Sequence, residues 1–390
     1  MSIRVLVVGH GMVGSRFVEE LLVRDPEGHF TVTVLGAEEY EPYNRVLLSD
    51  LVAGKVGAAS LALPPAPATA REQVRAHRGA EVVALDRANR TVVSADGGVH
   101  PYDVLVLATG AAARVPPIGG LDAAAGARDL PGGVHVLRTL DDARAIVAAT
   151  LNASSAAVVG GGVLGLEVAS GLAGRGLPTS IVHATSTLMQ RQLDHAAATV
   201  VAASLERIGV RSIVGSAPRE VLTAEGRITG LRLADDTLLP VDLLVLSTGT
   251  VPETGIARAA GLDIDFGVLV GPDLATAADP RIHAIGDCAQ PPEGSSGLIA
   301  QGWDQARRLA AHLVTAWRDD ASQPGPTDAA TPPPQADPST DVVRVKASGL
   351  DLVTMGLTTA SPLAAEHRVL RLSDPVALRH IELVVDGERV

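Results

Sequence analysis

Ile3-Arg4-Val5-Leu6-Val7-Val8-Gly9-His10-Gly11-Met12-Val13-Gly14 is an apolar, β-branched run halted by three glycines, and residues 15–23 then carry Phe17, Val18, Leu21 and Leu22 at helical spacing. The order is strand, glycine turn, helix. Residues 31–35 form the next strand signal and lead to Glu38, which completes a βαβ unit. The same plan returns later. Residues 156–159 run into Gly160-Gly161-Gly162-Val163-Leu164-Gly165, residues 166–172 continue as a helix, and residues 179–182 read as a strand.

The repetition extends beyond the loops. Leu105-Val106-Leu107-Ala108-Thr109-Gly110 has a twin in Leu244-Val245-Leu246-Ser247-Thr248-Gly249, each preceded by an aspartate, Asp103 or Asp242, and followed by a proline, Pro116 or Pro252. Before each lies a stretch of short β-rich runs broken by turn residues, 81–100 around Asp96-Gly97-Gly98 and 220–239 around Asp235-Asp236, which predicts a small antiparallel meander. Two nucleotide-binding domains of common ancestry account for all of this. The expected fold class is α/β, with two Rossmann-like, three-layer ββα domains, the second inserted in the first. The first domain takes residues 1–112 and 248–318, and the second takes 113–247. Residues 319–340 hold six prolines without hydrophobic periodicity and read as a linker. A partial α+β domain at 341–390 follows, with a strand at 342–346, another around Leu370, and a hairpin turning at Asp386-Gly387, as though abbreviated or cut from a longer polypeptide.

Composition narrows the function classes. With 390 residues, 46% hydrophobic and 19% charged, most of the chain has the material for a packed core. A net charge of −12 argues against nucleic acid and anionic membrane surfaces as partners. Apolar runs are too short to span a bilayer or to form a signal peptide, so a cytoplasmic location is expected. Cys288 is the sole cysteine, which excludes an internal disulfide, a CxxC pair and a four-thiolate cluster within this chain. The eleven histidines show no paired metal spacing, so no metal site is assigned, and no Gly-x-Ser-x-Gly elbow supports a hydrolase. Lysine is nearly absent: Lys55 and Lys346 are the only two, against 30 arginines.

Three glycines at fixed positions would arise by chance roughly 0.4 times in a chain this glycine-rich, so a single match would mean little. Both matches, however, end a strand and open a helix, where glycine lets backbone approach a pyrophosphate and the helix N-terminus attracts its charge. Glu38 stands where a carboxylate would accept hydrogen bonds from an adenosine ribose. In the second unit that position is His183, which neither repels nor selects a 2′-phosphate, so the choice between NADH and NADPH stays open.

Ile282-His283-Ala284-Ile285-Gly286-Asp287, preceded by Thr276, completes an ordered set: Gly-x-Gly-x-x-Gly, Ala-Thr-Gly, a second Gly-x-Gly-x-x-Gly, Thr-Gly-x-x-Pro and Ala-x-Gly-Asp. Over about residues 3–315 this set resembles the two-dinucleotide flavoprotein reductases of the pyridine nucleotide-disulfide oxidoreductase superfamily. The resemblance implies FAD in the first unit, held by Gly9, Gly11, Met12, Val13, Gly14, Glu38, Arg45, Ala108, Thr109, Gly110, Asp287 and Gln301. Asp287 would bond the ribityl chain, and the helix opening near Gln301 would stabilise reduced flavin. It implies NAD(P)H in the second, held by Gly160, Gly162, Val163, Leu164, Gly165, Glu167, His183 and Gly249, with Glu167 near the nicotinamide. No side chain is assigned a catalytic acid, base or nucleophile, because hydride transfer belongs to the cofactors.

Residues 40–55 lack the redox cysteine of the disulfide reductase and peroxidase branches and read Glu41-Pro42-Tyr43-Asn44-Arg45-Val46-Leu47-Leu48-Ser49. With Arg138-Thr139-Leu140-Asp141-Asp142 and Leu188-Met189-Gln190-Arg191-Gln192-Leu193-Asp194, this resembles the amino-terminal reductase module of NAD(P)H nitrite reductase large subunits and the electron-transfer subunits of assimilatory nitrate reductases. In rubredoxin and ferredoxin reductases a lysine usually follows the serine, whereas Asp50 follows Ser49 here. Val251 replaces an arginine often found before the proline, and the iron-sulfur and sirohaem modules of a full nitrite reductase are not in this chain. The expected role is an NAD(P)H:acceptor oxidoreductase delivering electrons to a one-electron acceptor protein or a downstream nitrite or nitrate reductase module. A rubredoxin or ferredoxin reductase and a slowly turning redox sensor are the alternatives. A homodimer would cover strand edges in the tail.

Overall fold

Strand Ile3–Val8 lies in the middle of a parallel sheet with both faces covered from Val5 to Val8, which is why that stretch is apolar instead of alternating. Val5, Leu6, Val7 and Val8 are each 4% exposed or less. The computed structural model describes residues 2–64, 73–122, 126–322, 342–356, 367–374 and 376–385, and resolves into two compact units. The first comprises residues 1–44, 62–112 and 251–336, and the second comprises 45–61, 113–250 and 337–390.

In the first unit the sheet order is Ala275–Thr276, Asp279–Ala284, Val104–Leu107, Ile3–Val8, Phe30–Leu35, Val74–His77. All neighbours are parallel except the first pair. Helix Met12–Arg24 buries Phe17, Val18, Leu21 and Leu22 and packs against helix Ile299–Ser322. Each such apolar side chain removed from water contributes roughly 1.5–3 kcal/mol. The meander before Val104 is a three-stranded antiparallel sheet of Val82–Asp86, Thr91–Ser94 and Val99–Pro101.

The second unit repeats the design. Its parallel sheet runs Val210–Val214, Thr179–His183, Ala156–Val159, Leu243–Leu246, Val134–Val136. Its meander is Pro218–Ala224, Arg227–Leu233 and Leu238–Pro240. The twin aspartates do twin jobs: Asp103 accepts the backbone N–H of Arg4 at 2.9 Å, and Asp242 accepts that of Ser154 at 2.9 Å. Each carboxylate, just before Val104–Leu107 or Leu243–Leu246, ties to the start of the neighbouring strand Ile3–Val8 or Ala156–Val159. Mixed α/β architecture with Rossmann-like parallel sheets is therefore as the sequence implied.

Val342–Val345 pairs antiparallel with Leu352–Met355, and Arg368–Asp374 pairs with Arg379–Val385. That hairpin turns between Asp374 and Arg379; the turn expected at Asp386-Gly387 lies outside the described residues, along with most of the proline-rich stretch. The turn is made by Asp374, whose Oδ1 accepts the N–H groups of Val376 at 3.1 Å and Ala377 at 2.9 Å, while Leu378 takes φ 51°. Among the described residues no helix is long and apolar enough to cross a membrane.

Candidate nucleotide sites

Gly9 and Gly160 share one conformation, φ 114° and 119°, which L side chains rarely adopt. A Cβ on Gly9 would lie 2.1 Å from the Ala108 carbonyl oxygen, and one on Gly160 would lie 2.0 Å from that of Ser247. Here Ile3–Val8 meets Val104–Leu107, and Ala156–Val159 meets Leu243–Leu246, so the loop has no room for a side chain. The third glycines, Gly14 and Gly165, are required by the loop itself, since a Cβ there would meet the carbonyls of Gly9 and Gly160 at 2.1 and 2.0 Å.

The helices opened by these loops differ from their neighbours at the first turn. Helix Leu140–Ala149 begins with a capping box between Thr139 and Asp142, and helix His195–Arg207 is capped by Asp194. Helices Met12–Arg24 and Val163–Gly174 begin at Gly11 and Gly162, with no side-chain cap and no acidic residue in the first turn. Their leading N–H groups have no side-chain cap, the arrangement that leaves a helix end able to receive a phosphate. Gly162 is exposed, and a Cβ on it would meet nothing within 4 Å. The residues present thus fit a dinucleotide pyrophosphate at both loops.

Around the first loop, Val13 packs under Gly286 and Gly302, and a Cβ on Gly302 would come 2.6 Å from Val13. Met12 is buried beside it. Glu38 follows strand Phe30–Leu35 and accepts the Tyr43 hydroxyl at 2.7 Å. Thr109 donates to the Glu253 carbonyl at 2.7 Å, and Gly110 accepts the N–H of Glu253 at 2.9 Å, closing the loop after strand Val104–Leu107. Asp287 is half-buried in the 3-10 turn Gly286–Cys288. Sequence reasoning missed the support for that turn: the buried Gln305 accepts the N–H of Gly286 at 2.7 Å. Gln301, in the first turn of its helix, spends its amide locally, accepting from Ser296 N–H at 2.7 Å and donating to Gly294 O at 2.7 Å. Cys288 is fully buried, its Sγ 3.4 Å from the Leu107 carbonyl, and burial pushes its thiol pKa up.

Around the second loop, His183 braces the glycines from behind. Gly161 N–H donates to His183 Nδ1 at 3.2 Å, so the neutral ring carries its proton on Nε2, which donates to Gln190 Oε1 at 2.7 Å. The Thr185 hydroxyl stands 2.9 Å from Nε2. Both nitrogens are committed to protein. Val163 and Leu164 form the helix's leading edge, Val163 half-buried and Leu164 36% exposed. Gly249 accepts the N–H of Arg114 at 3.0 Å, and Thr248 donates to the Arg114 carbonyl at 2.6 Å, mirroring Thr109 and Gly110.

Arg45 belongs to the second unit, where its guanidinium donates to the Arg138 carbonyl at 2.9 Å. In the same unit a buried charge cluster gathers at Glu167, which is 6% exposed. Ser49 donates to Glu167 Oε2 at 2.6 Å, and the backbone N–H of Lys346 donates to Oε1 at 2.9 Å. Of its members, only Glu167 was signalled by the sequence as a site residue. Asp194, His380 and Glu382 also bring metal-ligand atoms within 4.8 Å of one another. Arg371, however, already lies 3.3 Å from Asp194 and 2.8 Å from Glu382, supplying the positive charge.

Comparison with known proteins follows this geometry. A family model described as pyridine nucleotide-disulphide oxidoreductase matches residues 3–311. The NAD(P)H nitrite reductase of Bacillus subtilis (strain 168) is 33% identical over 310 residues, covering 80% of this chain and 37% of that relative, so the chain spans well under half of its length. A probable ferredoxin reductase of Castellaniella defragrans is 34% identical over 319 residues, covering 80% of this chain and 75% of the relative. Among solved structures, the covalent putidaredoxin reductase-putidaredoxin complex aligns with a TM-score of 0.82 at 24% identity, covering 99% of this chain and 88% of that one, a likeness of fold.

Proposed function

From the premise that this chain belongs to the pyridine nucleotide-disulphide oxidoreductase family and is an NAD(P)H-dependent flavoprotein oxidoreductase, we propose that it passes electrons to a one-electron acceptor protein or a downstream reductase module serving nitrite or nitrate reduction. The observation that carries this reading is Cys288. It is the only thiol in a chain of a family named for disulphide chemistry, and it is fully buried with its pKa raised, so it cannot cycle as a redox thiol. Electrons that enter would leave through the cofactor and not through a thiol of these residues.

Gly9, Gly11 and Gly14, with Met12 and Val13, would hold the FAD pyrophosphate at an uncapped helix end. Glu38 would take the ribose, Thr109, Gly110 and Asp287 would close the site, and the Gln301 helix would lend its positive end. Gly160, Gly162 and Gly165 would hold NAD(P)H, with Val163 and Leu164 at its edge and Glu167 beyond. When bound, the flavin supplies the conversion of a two-electron donor into single electrons, chemistry that no side chain here can provide. The protein's part is to hold and orient. Because His183 spends both ring nitrogens on the loop and its flank, it offers the ribose no carboxylate and no free charge. Both NADH and NADPH are therefore expected as donors. A ferredoxin-directed reductase is the second reading, favoured by the similarity to the Castellaniella protein.

An anaerobic titration of the FAD-loaded protein with NADH and then NADPH tests the proposal. Bleaching of the flavin by either nucleotide within the mixing time, followed by rapid reoxidation by a one-electron acceptor protein, is the expected result. Absence of bound flavin after reconstitution, or flavin that neither nucleotide reduces, would overturn it.

A further inference from the structure

Only two of the 390 residues are lysines, and both ammonium groups converge on one cluster of polar groups. Lys346 Nζ donates to the Val46 carbonyl, lies 3.3 Å from Ser49 Oγ and 3.3 Å from Asp50 Oδ2, and is 3.7 Å from Glu167 Oε2. Lys55 Nζ donates to the Lys346 carbonyl at 2.6 Å and sits 3.5 Å from Asp50 Oδ1. Ser49, Asp50 and Glu167 are 2%, 8% and 6% exposed. In a chain that otherwise uses arginine, a compact ammonium occupies each position. Lysine's rotatable donors on a slim stem suit a pocket whose acceptors are a carbonyl, a hydroxyl and two carboxylates, where a planar guanidinium would need a flat fork of acceptors.

The cluster joins three distant pieces of one unit: the short helix Leu48–Val52, the helix Val163–Gly174 opened by the second glycine loop, and the strand Val342–Val345 that Lys346 follows. Glu167 has both oxygens engaged, one by Ser49 and one by the Lys346 backbone, while the Lys346 ammonium balances its charge and that of Asp50. Asp50 and Glu167 share the Lys346 ammonium, with Lys55 also 3.5 Å from Asp50, and removing one partner of a buried ion pair leaves the other uncompensated.

We propose that Lys346 is the positioning residue for Glu167, so that the carboxy-terminal segment is a working part of the NAD(P)H site. This rests on the reading above that Glu167 stands at the nicotinamide end of that site. Without Lys346 the carboxylate would lose its counter-ion two residues beyond Gly165, and its orientation toward the bound nucleotide would loosen. Lys55 holds the Lys346 backbone in register and carries a smaller share.

The scarcity of lysine makes the test direct. In apo-protein labelled with ¹⁵N-lysine, two side-chain signals are expected, and Glu167→Gln should shift that of Lys346. An unmoved signal would overturn the assembly of the cluster in solution. In FAD-loaded protein, Lys346→Met should lower the limiting rate of flavin reduction by NAD(P)H roughly tenfold or more, while the nucleotide Kd changes less than about threefold. Lys346→Arg should recover part of the rate, and Lys55→Met should lose less than Lys346→Met. A Lys346→Met protein that melts like wild type and reduces its flavin just as fast overturns the inference alone. If wild-type flavin is reduced by neither nucleotide, the functional reading fails and takes the inference with it, whatever the lysine signals show.

Discussion

Gly160→Ala and Gly162→Ala sit two residues apart on one loop and should fail in opposite ways. At Gly160 the backbone holds φ 119°, which costs an L side chain about 1–2 kcal/mol, and the new Cβ would lie 2.0 Å from the Ser247 carbonyl oxygen. Relieving that clash means moving strand-end backbone in a packed core, roughly 1–3 kcal/mol more. The sum, about 2–5 kcal/mol, corresponds to a melting point lowered by roughly 4–20 °C for a unit of this size. At Gly162 the φ is −85° and no heavy atom lies within 4 Å of the Cβ. Losing a glycine N-cap and stiffening the unfolded chain nearly cancel, leaving stability within about 1 kcal/mol of wild type. The added methyl instead occupies the space before the uncapped helix end, and nucleotide affinity should fall roughly 10–100-fold, or about 1.4–2.8 kcal/mol. Differential scanning calorimetry and anaerobic flavin-reduction titrations of both variants provide the assay, with flavin content as the control, since the first loop is untouched. A Gly162→Ala protein that melts normally and binds NAD(P)H with unchanged affinity would refute the assignment of this loop to the pyrophosphate.

Acid should weaken the first unit through His283, 3% exposed, whose pKa burial and the neighbouring His312 push down to about 4. The unfolded chain binds this proton near pH 6.5 and the folded one does not, so stability is intact above 6.5. It falls by about 3 kcal/mol as pH drops to 4, and His283→Leu should flatten urea midpoints across that window. Ser49→Ala removes the hydroxyl that donates to Glu167 Oε2 and should cost about 1–3 kcal/mol by urea unfolding, because a buried carboxylate oxygen loses its donor. Cys288 should resist thiol reagents in the folded protein and react fully in denaturant; rapid native labelling would contradict its burial.

The glycine loops were legible because their requirements are local: a positive φ, a strand end and a helix start lie within six residues. Asp103 and Asp242 were visible as a repeated pair, although their task of tying Arg4 and Ser154 needed coordinates. The turn after Asp374 was not legible because it relies on that side chain and a leucine at φ 51° instead of a glycine. Arg45 and Gln301 were legible as motif members, yet the motif could not reveal that Arg45 reaches Arg138 or that Gln301 bonds Ser296 and Gly294.

By itself the sequence determined the two βαβ units, their order and the glycines that open them, since these follow from the periodicity and backbone sterics of short segments. Only the tertiary structure decided the surroundings of Glu167. Ser49, Asp50 and Lys55 stand more than a hundred residues before it and Lys346 nearly two hundred after, and no local pattern links them. They meet because a buried charge must find its counter-ion wherever the packed chain brings one within reach, and packing, not spacing, sets that distance.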